Sequence, residues 1–171
     1  MSATIFWCTT AAVAVAAATD IRSRRIPNWL VAPFLVAGLL AHFAYQGIEG
    51  LWHSAAGLSV AALATGLLHY LGGLGMGDCK LLAAVGVWIG PEQTLFALLG
   101  TALAGGVLAL GYVAWRGAVL RSLVSTAGLL ATLVRNGLRP HPTVHLNNPT
   151  AMKVPYALAI AAGTIFSFYT Q

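Results

Sequence analysis

Charge is what this chain has least of. Only 8% of its 171 residues are Asp, Glu, Lys or Arg, and 58% are hydrophobic, whereas an ordinary soluble domain is roughly 25% charged. Too few polar groups are present to cover a globule, which excludes a soluble enzyme or a solvated binding module. Cysteine is nearly absent as well. Cys8 and Cys79 lie in or beside hydrophobic runs and form no CxxC pair, so neither a zinc ribbon nor a disulfide framework is expected. Each reads as a small packing residue. The first four residues hold no Lys or Arg, and no small-residue cleavage pattern follows the first apolar run, which therefore reads as a retained helix and not as a signal peptide. No Gly-Lys-Ser/Thr loop is present to cradle phosphate. The net charge of +5 has no aromatic-basic array beside it, so nucleic acid is not an expected partner; membrane topology and anionic lipid account for it better.

What the chain does have is long apolar runs. Five of them, residues 3–19, 29–46, 54–71, 93–115 and 154–170, approach the length of about 20 residues that crosses a bilayer. A sixth, residues 79–89, rises only about half of a ~30 Å hydrocarbon layer and must borrow flanking residues. The expected fold is thus an all-α integral membrane protein of six transmembrane helices in one domain over residues 1–171.

The nine basic residues orient those spans, because Lys and Arg in short loops stay in the cytoplasm. Arg22, Arg24 and Arg25 follow the first span, Lys80 opens the fourth, and Arg116, Arg121, Arg135, Arg139 and Lys153 lie between the fifth and sixth. An extracytoplasmic N-terminus gathers all nine on one side and leaves Glu49 and Glu92 on the other. The expected location is a multi-pass protein of the cytoplasmic membrane. Between the last two spans, Arg121, Ser125, Gly128, Thr132, Arg135 and Arg139 recur at intervals of three and four, drawing one polar stripe along a helix. A helix lying on the cytoplasmic leaflet is expected there, followed by an irregular loop in "RPHPTVHLNNPT".

The chain has two aspartates, Asp20 in "TDIRSRRIPNW" and Asp78 in "GGLGMGDCK", and this topology puts both at the cytoplasmic membrane boundary. Taken singly, each has an ordinary explanation. Asp20 fits a helix-end residue neutralised by Arg22 or Arg24, and Asp78 fits an N-cap for a helix beginning at Cys79. Taken together they fit acid-base chemistry, since paired carboxylates share a proton, one member activating water while the other polarises a carbonyl. Gly73, Gly75 and Gly77 would let a backbone without side chains approach. Pro27 reads as the N1 residue of the second span, and Asn28 as a polar contact without a named partner. Gly86 and Gly90 form a small-xxx-small packing pair. His42, His53 and His69 share no motif, and His141 and His145 lack a third ligand, so no metal or cofactor is expected.

These residues carry a resemblance. An aspartate followed by basic residues and "RIPN" after the first span, "GMGDCK" at the start of the fourth, and "KVPYALAIAAG" in the last together resemble the prepilin peptidases, Gly-x-Gly-Asp membrane aspartyl peptidases. The resemblance implies that Asp20 and Asp78 are catalytic, with Gly75 and Gly77 in the motif and Lys80 and Arg22 as electrostatic support. It also implies a prepilin substrate cut at the cytoplasmic face, with pilus assembly machinery as a further partner. The larger bifunctional relatives carry a cytoplasmic insert with paired CxxC motifs and also methylate their product. Here Arg25 is followed almost directly by the second span, a short form that resembles the peptidases of Flp-type tight-adherence systems, so methyl transfer is not expected. Two other functions use some of these features. A proton-coupled transporter would need acidic or polar groups near the midplane, and the second, third, fifth and sixth runs carry no Asp, Glu, Lys or Arg in their interiors; a noncatalytic assembly protein would need neither aspartate.

Overall fold

The computed structural model describes residues 2–71, 73–115 and 156–170. Among them the architecture is all helical. Four helices follow one another: α1 (Ser2–Ser23), α2 (Asn28–Tyr70), α3 (Met76–Trp115) and α4 (Ala157–Phe168). The first three are long and apolar enough to cross a membrane, and α4 is a shorter apolar helix. The surface helix expected over residues 121–139, the loop after it, His141 and His145 lie outside the described residues.

Helix α1 ends where Arg24 takes a left-handed conformation at φ 52, its N–H donating to the Asp20 carbonyl at 2.7 Å. The chain then turns within four residues, and Pro27, extended at φ −74 and ψ 139, starts α2. Proline is therefore the N-cap and Asn28 the first helical residue, one position later than the sequence suggests. The carbonyl of Pro27 accepts from Leu30 and Val31 at 3.2 and 3.4 Å.

Two glycines divide the long helices. Gly47 (φ 62, ψ −140) breaks α2 and Gly90 (φ 80, ψ 175) breaks α3, conformations that L side chains avoid. Six helical segments result, yet the separate loops expected at 47–53 and 90–92 are single-residue breaks. Helix resumes at once because Pro91 is a natural first residue of a new helix, and nothing after Gly47 interrupts hydrogen bonding. The first limb of α3 begins at Met76, three residues before the expected start, and so borrows its extra length from the glycine-rich stretch.

Packing places α3 in the middle, with α2 along one side and α4 along the other, while α1 closes mainly against α4. The core joins Val13, Val31, Leu81, Leu82, Val85 and Ile160. Where α2 meets α3 the seam is backbone on backbone: a Cβ on Gly57 would run into the Gly86 carbonyl, and one on Gly86 would meet Gly57 in return. Large side chains such as Leu40, Trp52, Leu63, Leu103 and Leu110 instead point outward. Small residues where two helices touch, with large apolar side chains on the outer face, is how helices associate in lipid, where close approach replaces hydrophobic expulsion from water.

At the kinked end, the buried His42 donates through Nε2 to the Trp88 carbonyl at 3.1 Å, while Trp88 stacks on Phe34 at 5.2 Å and donates through Nε1 to its carbonyl at 2.8 Å. His53 is seated against Gly90, and His69 donates to the Leu74 carbonyl at 2.8 Å. All three histidines thus have structural surroundings. Cys79 is buried and its Sγ donates to the Thr65 carbonyl at 3.3 Å, in keeping with a packing residue.

The glycine seam makes a signed prediction. Gly57→Ala forces backbone against backbone and destabilises by about 1–3 kcal/mol. Gly66→Ala, with nothing within 4 Å of the new methyl group, stabilises by about 0.5–1 kcal/mol through helix propensity. Unfolding of both variants in detergent reads the difference; shifts of the same sign would contradict the seam.

Candidate active site

The ends of α1, α2, α3 and α4 converge at one end of the bundle, and both aspartates are there. Asp20 occupies the last turn of α1 on the inward face that also holds Val13, Ala16 and Ala17, and is 9% exposed. Arg22, Arg24 and Arg25 are exposed. Among the described residues the Asp20 carboxylate is met by backbone and not by a guanidinium: its Oδ2 accepts the Ala157 N–H at 3.3 Å. Ala157 is the first residue of α4, so one carboxylate supplies a cap that no side chain of α4 itself provides. The free N–H groups of a helix start favour negative charge.

Asp78 lies half-buried in the first turn of α3. Because the helix starts at Met76, Asp78 is its third residue and not the cap that a start at Cys79 would make it. Its carboxylate reaches back to the backbone of Gly75, the residue that precedes the helix. That is the N3 half of a capping box. Glycine at 75 lets the carboxylate keep this position, since a Cβ there would stand 2.8 Å from Asp78 Oδ2 and turn it aside. Gly77 is different: its Cβ would stand 3.4 Å from Ile26, an ordinary packing distance.

The two carboxylates act on each other, the charge of Asp20 reaching Asp78 through the interior. Tyr156, just ahead of Ala157, is also within electrostatic reach of Asp78. Lys80 points outward and its Nζ donates to Asn28 Oδ1 at 3.5 Å, which gives Asn28 the partner its sequence position did not name and links the starts of α2 and α3. Arg22 is exposed and is not brought into the pair.

Of the residues singled out in the sequence, Asp78 meets Gly75, Asp20 lies within electrostatic reach of Asp78, Lys80 is joined to the start of α2 through Asn28, and Gly77 packs near Ile26. Ala157 was not foreseen. Its contribution is a backbone N–H, which leaves no residue-type signal, although it falls inside the quoted "KVPYALAIAAG" segment. Two carboxylates within electrostatic reach of each other, beside a helix start, are groups of the kind that activate water once brought to a substrate.

The chain belongs to the type IV leader peptidase family, whose sequence model matches residues 7–110. Two curated relatives are the prepilin leader peptidase/N-methyltransferases of Burkholderia pseudomallei strains 1026b and K96243, each 34% identical over 122 residues, which cover 63% of this chain and 36% of the relative. The chain therefore aligns with little more than a third of those longer proteins. No solved structure matches it.

The two motif glycines separate experimentally. Gly75→Ala pushes the Asp78 carboxylate aside and, under the function proposed below, lowers the rate of substrate cleavage about 10- to 100-fold, the scale of a misplacement near 1 Å. Gly77→Ala stays within about threefold, because its methyl group meets Ile26 at packing distance. Initial rates of the two purified variants test this, and equal losses would show that the glycines serve only the turn.

Proposed function

We propose that this protein is a membrane aspartyl endopeptidase that removes the basic leader of type IV or Flp-type prepilins at the cytoplasmic face, with Asp20 and Asp78 as its catalytic pair. One observation carries the reading: the chain's two aspartates, 58 positions apart in sequence, lie within electrostatic reach of each other, one in the last turn of α1 and the other in the first turn of α3. Membership of the leader peptidase family and the prepilin activity named for the Burkholderia relatives support the substrate class.

The six helical segments are six membrane spans in this reading. The breaks at Gly47 and Gly90 act as turns on the extracytoplasmic side, beside Glu49 and Glu92, and the basic residues stay with the aspartates on the cytoplasmic side. The first limb of α3, Met76 to Ile89, rises only about 20 Å against a hydrocarbon layer of about 30 Å, so with its Gly90 end at the outer face its aspartate is recessed below the cytoplasmic surface. A substrate with a basic leader and an apolar helix can present its scissile bond there.

Two carboxylates held together do not both ionise. The ionised member takes a proton from water as the water oxygen attacks the scissile carbonyl carbon, and the protonated member hydrogen-bonds the carbonyl oxygen. Collapse of the tetrahedral intermediate breaks the C–N bond, and a proton passes to the departing amine. No covalent enzyme intermediate is involved. Only residues 24–27 separate α1 from α2, and the chain has no CxxC pair. These features support a short peptidase of the tight-adherence type without the methyl transfer named for the longer relatives.

Asp20→Asn and Asp78→Asn each lower cleavage by about 10²- to 10⁴-fold while the protein stays folded, because asparagine keeps the size of aspartate and cannot pass its proton. A surface salt-bridge role for Asp20 would cost only about 0–1 kcal/mol, and asparagine caps a helix as well as aspartate does. Leader release from a prepilin by purified protein in detergent, with thermal unfolding as the control, decides it. Near wild-type cleavage by either folded variant removes the mechanism.

A further inference from the structure

We infer that Tyr156 is a third functional side chain of this site, its hydroxyl donating a hydrogen bond to the carbonyl oxygen of the peptide bond under attack between Asp20 and Asp78. The inference rests on the peptidase reading above and adds to the pair a group that neither aspartate motif contains.

Three observations place the phenol there. The Ala157 N–H bonded to Asp20 at 3.3 Å fixes the first turn of α4 against the site, and Tyr156 is the residue immediately before it. The ring is held in a notch on the second limb of α3: a Cβ at Gly105 would come 2.7 Å from Tyr156 Cε2 and 3.1 Å from its hydroxyl oxygen. Glycine at 105 is therefore the condition for this ring position, and the notch seats the hydroxyl as well as the ring. Finally, the phenol is half-buried and within electrostatic reach of Asp78, so it borders the site while retaining a path to a bound peptide.

The chemistry gives such a group one fitting task. As the water oxygen bonds to the carbonyl carbon, the carbonyl electron pair moves onto its oxygen, which becomes the centre of new negative charge. The water proton goes to the ionised carboxylate. A second donor beside the protonated carboxyl stabilises the oxygen without giving up its own proton, and a phenol is a neutral O–H donor of this kind. Its help is greatest in the transition state, so it acts on the chemical step more than on substrate binding.

The alternative is that the ring only fills the Gly105 notch. Phenylalanine fills it equally, so Tyr156→Phe separates the two. With a prepilin as substrate and purified protein in detergent, Tyr156→Phe lowers kcat by about 10²-fold, keeps KM within about twofold of wild type, and leaves thermal unfolding in place. Gly105→Ala, which displaces the phenol and keeps its hydroxyl, lowers kcat as well. A kcat within about twofold of wild type for Tyr156→Phe overturns the inference, as does a change confined to KM. If wild type cleaves and Tyr156→Phe cleaves as fast, the two-aspartate reading stands and only the tyrosine is removed; an inactive wild-type protein removes both.

Discussion

A carboxylate taken out of water must be met by a donor, and the functional end of this bundle is arranged around how Asp20 is met. Its partner is the Ala157 N–H, 137 positions away. Two otherwise costly groups satisfy each other in that one contact: a buried carboxylate, which is expensive to leave unpaired, and one of the N–H groups that the start of a helix leaves open. The contact binds the end of α1 to the start of α4, and α3 packs along α4 beside them with Asp78 in its first turn. If the first turn of α4 is moved, Asp20 loses its donor and the geometry of the pair goes with it.

Everything behind that end serves to hold helix ends still. The Gly57–Gly86 seam brings α2 and α3 to backbone distance, and the stacked Phe34 and Trp88 tie the same two helices nearer the kinks. At the site itself the tolerances tighten. Gly75 leaves room for a carboxylate where a methyl group would collide, and Asn28 and Lys80 join the starts of α2 and α3 from outside. The rigid part of the protein is thus apolar and small-residue-rich, and the polar chemistry is confined to helix termini. Backbone N–H groups at those termini are free to act only because the helices end there.

Much of this was readable from residue order. With charge so scarce, Asp20 and Asp78 stood out without any structural knowledge, and the apolar runs marked the helical segments closely. Other features were not readable, for identifiable reasons. The runs ending near 46 and 89 looked like the ends of separate helices, yet helix continues past Gly47 and Gly90 because one glycine in a positive-φ conformation turns the chain without a loop. Gly75 and Gly77 are the same residue type in the same motif, and only three-dimensional placement shows that one faces a carboxylate and the other an isoleucine. The start of α3 at Met76 was hidden because glycine-rich segments signal helix ends, and here one is partly absorbed into the helix. Ala157 has no chemical signature at all, since what it provides is common to every residue except proline.

The central claim is that the two aspartate positions meet in the intact protein, and it is open to a direct measurement. In a background with Cys8 and Cys79 replaced by alanine, Asp20→Cys and Asp78→Cys are combined, and the membrane-embedded protein is treated with a short thiol-to-thiol cross-linker. Proteolysis between α1 and α3 then shows whether the two fragments remain joined. The account predicts efficient joining in the double variant and none in either single variant. Two reactive thiols that never join would contradict it, because the carboxylates they replace would then be too far apart to share a proton or a substrate.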